Sequence, residues 1–243
     1  MEITDVNTIY GAYPLKHRVS TADSLVSVIK GQGVNWCLTL STSGVFASDM
    51  EGNVDTITAC RAHDQLIPVA TLNPCVYLGN TELITQITSA PFEMFRFFPH
   101  IQEWPIDFAP FADILTMLGS RSPMPIMISV REPGDATALA RITKEYRAPV
   151  IMEGVNSRTL GEAISVMRRN DQLFLETHAI QVPDALPLLR DAIGISRILF
   201  GSATPGSSLS AALRYVKKSA LSDEDRNAVL GGNAQAIWHG GEG

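Results

Sequence analysis

The chain has 243 residues and a formal net charge of −6, with 45% hydrophobic and 18% charged residues. This balance is typical of a globular protein with a large buried core, and it excludes a disordered chain. Because the net charge is negative and basic residues are not clustered, nothing attracts phosphate backbones. We therefore do not expect nucleic acid as a partner.

The N-terminal sequence has neither the positive charge nor the apolar run of a signal peptide, and no stretch is apolar for long enough to span a bilayer. Cys37, Cys60 and Cys75 are odd in number and lack C-x-x-C spacing, so neither a disulfide framework nor a structural zinc site is indicated. We expect a soluble, cytoplasmic protein with reduced thiols and no membrane partner.

Short apolar runs alternate with longer amphipathic runs along the whole chain. This order is typical of parallel strands joined by right-handed helical crossovers. Several runs are apolar throughout, as expected for strands that are covered on both faces. The predicted strands are residues 3–7, 35–40, 67–72, 92–98, 125–130, 150–153, 173–177 and 197–201.

Polar residues that can cap helices stand between the predicted strands. Ser20 begins a capping-box pattern, and Ser207 or Ser208 can cap the helix that follows the eighth strand. Ser222 begins one further helix, which extends toward Trp238. Four other predicted caps are Asn53, Asp107, Asp135 and Ser157.

Eight β–α units predict an α/β fold: a single (β/α)8 barrel of the TIM type with an extra C-terminal helix, in which residues 1–243 form one domain. Closure of the sheet removes both unpaired edges; an open doubly wound sheet is the structural alternative. Functional residues of a barrel gather where the strands end. The residues predicted there are Asn7, Ile9, 39–42, Asn73, 96–100, Ser129, Arg131, Glu153, Asn156, Thr177, His178 and 202–208.

Three segments resemble the amidohydrolase-related family, a branch of the amidohydrolase superfamily of metal-dependent hydrolases and decarboxylases. Residues 3–11, ITDVNTIYG, resemble the first-strand signature Asp-x-His-x-His followed by Gly. Residues 198–206, ILFGSATPG, resemble the eighth-strand pattern Phe-Gly-Ser-Asp-x-Pro. Residues 230–238, LGGNAQAIW, resemble the closing helix, which commonly reads Gly-x-Asn-Ala. With the order of the strands, the resemblance covers essentially the whole chain.

The chain departs from this family at the positions that hold the metal. The two first-strand histidines correspond to Asn7 and Ile9, and the eighth-strand aspartate corresponds to Ala203. The fifth-strand histidine falls on Ser129 and the sixth-strand histidine on Glu153. A catalytic divalent ion needs about three strong protein ligands, and without it water is not activated as hydroxide. We therefore expect no metal and no other cofactor.

Polar residues remain at the predicted mouth. Glu153 and His178 end neighbouring strands and are candidate catalytic residues, as a general base and its partner. The alternative is that Glu153 forms an ion pair or hydrogen bond with Arg131 or Arg96 and that His178 is an ordinary loop histidine. Arg96 is a candidate carboxylate clamp, or it pairs with Glu93, Glu103 or a carbonyl at the rim. The loop of residues 201–208 suits an anion or an ordinary N-cap. The candidate substrate-binding residues are Asn7, Tyr10, Arg96, Ser129, Arg131, Ser202 and Thr204.

Two functional hypotheses follow, and whether the chain is an enzyme stays open between them. In the first, the barrel has lost metal-dependent hydrolase activity and binds a small anionic ligand or acts as a partner subunit, as a homodimer or with an intact family member. In the second, it is a metal-independent hydrolase or lactonase that uses Glu153 and His178 as acid and base on a small carboxylate-bearing substrate. A third hypothesis is a metalloenzyme with a relocated site at Asn7, Glu153 and His178.

Overall fold

The computed structural model describes residues 2–14, 18–121 and 123–238. Eight parallel strands lie side by side in chain order, with helices between them, so the predicted barrel is confirmed. These strands are β1 (Thr4–Asp5), β4 (Trp36–Thr39), β5 (Leu66–Thr71), β6 (Met94–Phe97), β7 (Ile126–Ser129), β8 (Val150–Glu153), β9 (Leu173–Glu176) and β10 (Ile198–Leu199). Seven of these strands lie inside their predicted ranges, and β5 begins one residue before its range. The first and last strands are shorter than predicted.

The two edge strands of the sheet, β1 and β10, meet beyond their short ladders. Val6 N donates a hydrogen bond to Phe200 O over 2.9 Å, and Thr8 forms an isolated parallel bridge with Thr204. These contacts bring the sheet into a nearly closed barrel. The ends of β1 and β10 thus lie beside each other at the mouth.

A short antiparallel hairpin follows the first barrel strand and was not predicted. It pairs β2 (Gly11–Tyr13) with β3 (Arg18–Ser20). Twelve α-helices lie within the described ranges, and no helix there is long and apolar enough to cross a membrane. They are α1 (Ala22–Gly31), α2 (Ser43–Phe46), α3 (Asp49–Ala62), α4 (Thr81–Thr88), α5 (Pro99–Gln102), α6 (Ala109–Arg121), α7 (Asp135–Ile142), α8 (Leu160–Met167), α9 (Ala185–Ile193), α10 (Leu209–Lys217), α11 (Asp223–Asn227) and α12 (Asn233–Trp238).

The extra C-terminal helix is present in a modified form. Ser222 caps it as predicted, since its hydroxyl accepts a hydrogen bond from Asp225 N. The segment then runs through α11, a π-helical turn at Ala228–Gly232 and α12. The π-helical turn packs against both β1 and β10, so this segment covers the place where the barrel closes.

Two layers of apolar side chains form the core, as expected for a barrel enclosed by helices. The larger layer lies between the strands and the helices. Six barrel strands each contribute one side chain to the smaller layer, and Val6, which directly follows β1, contributes a seventh. Those seven residues are Val6, Leu38, Val69, Met94, Met127, Ile151 and Leu199.

Several predicted caps are wrong, and at α1 and α3 a neighbouring hydroxyl group caps the helix instead. Thr21, not Ser20, accepts the capping hydrogen bond of α1, and Ser48 caps α3 five residues before the predicted cap Asn53. Ser208 caps α10, which settles the choice between two adjacent serines. Asn53 lies inside α3, where its side chain bonds to the backbone of Thr71. Asp107 lies two residues before α6 and pairs with Arg141, while Gly134 and Thr159 take the N-cap positions predicted for Asp135 and Ser157 at α7 and α8.

Candidate functional site

A cavity of about 490 Å³ lies where the barrel strands end. This volume is in the usual range for small-molecule sites. Charged and polar side chains line it together with apolar ones. The polar residues include Asn7, Arg96, Arg131, Glu153, Asn156 and His178, and the apolar residues include Ile9, Phe98, Ile101, Ala179 and Ala203.

A buried ion pair crosses the floor of this cavity. Arg96, on β6, donates from Nη2 to Oε1 of Glu153 over 3.0 Å and from Nε to Oε2 over 3.2 Å. Its Nη1 donates to the carbonyl of Thr8 over 3.3 Å, and its guanidinium carbon lies 4.9 Å from the ring centre of Phe98. All three donor nitrogens of Arg96 are therefore engaged.

The carboxylate of Glu153 has two further partners. Ser129, on the intervening strand β7, donates its hydroxyl to Oε2 over 3.2 Å, and Arg131 Nη2 lies 3.5 Å from Oε1. Burial alone would raise the pKa of Glu153, but the charges of Arg96, His178 and Arg131 outweigh burial and lower this pKa to about 2. Glu153 is therefore a carboxylate at neutral pH and a very weak base.

A second carboxylate, which the sequence analysis did not identify, holds His178. Glu176 ends β9 and is fully buried. Its Oε1 lies 2.5 Å from Nδ1 of His178, and its Oε2 accepts the backbone N–H of His178 over 2.8 Å. Burial lowers the pKa of His178, but the Glu176 carboxylate outweighs it and the pKa is raised above its usual value.

Two glycines make room for this carboxylate. The backbone N–H of Gly154 donates to Oε1 of Glu176 over 3.1 Å, and Gly154 has a φ of +81°, which favours glycine. A methyl group at Gly201 would lie 2.1 Å from Oε2 of Glu176. The absence of a side chain at Gly201 therefore leaves room for the Glu176 carboxylate, and Gly154 supplies a backbone donor to it.

A third buried carboxylate joins the first strand to the eighth. Asp5 accepts hydrogen bonds from the backbone N–H groups of Asn7 and Ser202, both at 3.0 Å, and from the Ser202 hydroxyl at 2.5 Å. The Ser202 hydroxyl also contacts Thr204 Oγ1 at 2.7 Å. Burial raises the pKa of Asp5 to about 7, although these hydrogen bonds oppose the shift. Asp5 therefore connects the segments that follow β1 and β10 by hydrogen bonds beneath the mouth.

Five of the predicted site residues line the cavity together: Asn7, Arg96, Arg131, Glu153 and His178. Asn7 Nδ2 lies 3.3 Å from Nδ1 of His178, while its Oδ1 is buried with no hydrogen-bond partner in the described part of the chain. The other four are not part of the lining. Ser129 lies behind Glu153, Ser202 and Thr204 lie beside Asp5, and Tyr10 is buried, with its backbone paired to Leu40 and Thr42.

The family resemblance implies a divalent metal, so we asked whether the side chains at the mouth suit one. Ile9 and Ala203 have no donor atom, and the Ser129 hydroxyl is directed at Glu153. Glu153 is a strong donor, but two guanidinium groups already bind its oxygens and repel a cation. Among the described residues, no group of three or more His, Cys, Asp or Glu side chains can hold a metal ion. The residues present do not fit a divalent metal.

Comparison with known protein families gives a match to the C-terminal part of the chain. The family model described as amidohydrolase matches residues 139–240, which confirms the resemblance inferred from the sequence motifs. No curated protein matches the chain.

Solved structures similar to this chain include two decarboxylases and an amidohydrolase with bound zinc. The 2,6-dihydroxybenzoate decarboxylase from Rhizobium has a TM-score of 0.75 at 14% identity, over 98% of this chain and 99% of that chain. The 5-carboxyvanillate decarboxylase from Sphingomonas paucimobilis has a TM-score of 0.73 at 13% identity, with the same coverage. An amidohydrolase from Burkholderia multivorans with bound zinc has a TM-score of 0.75 at 13% identity, again over 98% and 99%. The chain therefore shares the fold of these proteins over nearly its whole length, and its residues 139–240 match the amidohydrolase family model.

Proposed function

We propose that the barrel mouth binds a small carboxylate-bearing ligand without a divalent metal, and that the chain acts as a binding protein or partner subunit. The observation that carries this proposal is the Arg96–Glu153 ion pair, which takes up the one strong metal donor and replaces a bound cation by a fixed guanidinium charge. An arginine keeps its charge at any physiological pH, so the mouth stays positive where a metal would otherwise supply the charge.

Arg131 is the cation that remains available to a ligand. Its side chain is 43% exposed, and its single side-chain contact with Glu153 is long, at 3.5 Å. Nε and Nη1 of Arg131 have no hydrogen-bond partner among the described residues. A guanidinium with two free donors matches the geometry of a carboxylate.

Two further observations support an aromatic or similarly flat carboxylate. Phe98, Ile9 and Ile101 give the cavity an apolar part beside Arg131, which suits a ligand with a charged end and an apolar body. The names of two structurally similar decarboxylases, for 2,6-dihydroxybenzoate and 5-carboxyvanillate, also refer to aromatic carboxylates. At 14% and 13% identity, the similarity to these decarboxylases is one of fold, and it suggests aromatic carboxylates as probe ligands.

The hydrolase hypothesis with Glu153 and His178 as acid and base has less support. Glu153 would have to give up bonds to Arg96, Arg131 and Ser129 before it accepts a proton, and a carboxylate with a pKa near 2 is a poor base. Pairing with an intact family member or with a second copy remains part of the proposal, as does a cytoplasmic location.

Calorimetric titration of the metal-free protein with 2,6-dihydroxybenzoate, benzoate and the uncharged analogue benzamide tests the proposal. We expect both carboxylates to bind and benzamide to bind at least about tenfold more weakly, because a charged hydrogen bond is worth roughly 1.5–3 kcal/mol. Arg131→Met should weaken benzoate binding by a similar factor. Arg141→Gln is the matched control, since Arg141 is 70% exposed and pairs with Asp107 on the surface.

Two results would contradict the proposal: no binding by either carboxylate, or equal affinity for benzoate and benzamide. Binding that appears only after zinc or manganese is added would favour a metal-dependent site instead. In that case, the Arg96–Glu153 pair would have to separate to admit the ion.

A further inference from the structure

Glu176 is a fully buried carboxylate beside the cavity, and its contacts join the barrel frame to His178. Its two oxygens accept three hydrogen bonds: from the backbone N–H groups of Gly154 and His178, at 3.1 and 2.8 Å, and from the His178 ring at 2.5 Å. The two backbone bonds fix the carboxylate on the barrel frame. The imidazole therefore contacts a rigid acceptor.

This contact determines which ring nitrogen of His178 carries a proton. An ionised carboxylate only accepts hydrogen bonds, so Nδ1 of His178 must be protonated to make a contact of 2.5 Å. The other nitrogen, Nε2, has no hydrogen-bond partner among the described residues, while the His178 side chain lines the cavity. Nε2 is thus the ring atom left for a ligand.

We propose that Glu176 is a positioning residue: it fixes the His178 imidazole so that Nε2 and Arg131 together contact the anionic group of the ligand. The second half of this inference rests on the proposed function, whereas the Glu176–His178 arrangement does not. His178 is not merely a loop histidine in this view. It is the second anion contact of the mouth.

The charges around His178 decide when Nε2 donates. Glu176 and Glu153 face it with negative charge, from β9 and β8, and Arg96 faces it with positive charge from β6. The two carboxylates outweigh the guanidinium, in agreement with a pKa of His178 above its ordinary value. A protonated His178 donates from Nε2 and adds a positive charge beside Arg131, so it strengthens anion binding.

Nitrogen-15 NMR of the imidazole ring tests the positioning role in the ligand-free protein, which needs no knowledge of the ligand. We expect a proton on Nδ1 of His178 between pH 6 and 8, and a titration midpoint above the ordinary value of about 6.5. In Glu176→Gln, which preserves shape but removes the charge, the midpoint should fall by about one pH unit or more. Glu145→Gln is the control, because Glu145 is 80% exposed and pairs with Arg147 on the surface.

Two outcomes would overturn the inference. One is a wild-type His178 that is neutral with its proton on Nε2; this needs no variant, so it can be recognised even if Glu176→Gln does not fold. The other is an unchanged midpoint in a folded Glu176→Gln protein.

Benzoate affinity measured between pH 5 and 9 then tests the anion contact. Affinity should fall as the pH rises through the His178 midpoint, and in Glu176→Gln this fall should occur at lower pH. Benzoate affinity that is independent of pH in this range would overturn the contact with Nε2. If NMR shows the Glu176–His178 arrangement but no carboxylate binds, the positioning of His178 stands and the proposed ligand class fails.

Discussion

Arg96 and Glu153 form an ion pair across β7, with Nη2 and Oε1 3.0 Å apart and neither side chain more than 5% exposed. The two residues lie on β6 and β8, and Ser129 of the strand between them donates to the same carboxylate. Burying two charges is costly unless both are paired and hydrogen-bonded. The pair therefore makes the stability of the mouth depend on each partner.

Removing Arg96 alone should destabilise the barrel strongly. Arg96→Met leaves the buried Glu153 carboxylate without its main partner, and such losses cost about 3–5 kcal/mol in the free energy of unfolding. The double variant Arg96→Met with Glu153→Met should be more stable than Arg96→Met, because no buried charge remains unpaired. Urea unfolding of the wild type, both single variants and the double variant gives the coupling energy. Additive effects would show that the pair contributes nothing.

The depressed pKa of Glu153 predicts a loss of stability in acid. The pKa of Glu153 is near 2 in the folded state and near 4.5 in the unfolded state. Its contribution to the free energy of unfolding is therefore present above pH 4.5 and disappears as the pH falls toward 2. Since one pKa unit corresponds to about 1.4 kcal/mol, roughly 3 kcal/mol is lost over this range. Glu153→Gln should flatten the dependence of unfolding free energy on pH between 5 and 2.5, whereas Glu145→Gln should not. Parallel curves for wild type and Glu153→Gln would contradict the shift.

The raised pKa of Asp5 predicts that the stability of the fold decreases as the pH rises, which is opposite to the effect of Glu153. Its folded-state pKa is raised from 3.8 to about 7, so its stabilising contribution is complete below pH 3.8 and is lost as the pH rises to 7. Asp5→Asn removes this titration and preserves acceptors for the backbone N–H groups of Asn7 and Ser202. We expect the stability of Asp5→Asn relative to wild type to increase by a few kcal/mol between pH 4 and 8. Thermal unfolding across this range measures the difference, and a constant difference would exclude the shift.

The sequence predicted the barrel more completely than it predicted the candidate site. Apolar runs with regular spacing predicted all eight strands, because buried parallel strands leave a strong local signal. They also placed Arg96 and Glu153 at the mouth, and the ion pair between them was among the predicted alternatives. The β2–β3 hairpin was missed because its strands are only three residues long.

Glu176 and Asp5 were missed for different reasons. In an extended chain, side chains two residues apart point to the same side. The spacing of Glu176 and His178 could therefore have indicated their contact. Asp5 matches the first residue of the first-strand signature, but its contact with Ser202 was not predictable, because Ser202 lies 197 residues away and meets it only when the barrel closes. Long-range closure contacts of this kind do not show in a local pattern.

The donor set at the mouth predicts little bound metal. Protein purified without chelator should contain far less than one zinc, manganese or iron ion per chain by elemental analysis, because Glu153 is held by two guanidinium groups and its neighbours lack donors. Added zinc should leave the melting temperature unchanged, since only a ligand that binds the folded state raises it. About one ion per chain that resists dialysis would refute the metal-free mouth.

The variant Gly201→Ala tests whether the Glu176 carboxylate is confined against Gly201. A methyl group there would lie 2.1 Å from Oε2 of Glu176 and 3.1 Å from Cβ of Asn7, so Gly201→Ala must displace the carboxylate that holds His178. We expect a loss of about 1–3 kcal/mol in unfolding free energy, as for other overpacked cores, and a lower titration midpoint of His178. Gly161→Ala is the matched control: its methyl group meets nothing within 4 Å and lies in α8, where alanine stabilises by about 0.5–1 kcal/mol. If Gly201→Ala is as stable as wild type and His178 titrates as before, Glu176 is not confined as the structure indicates.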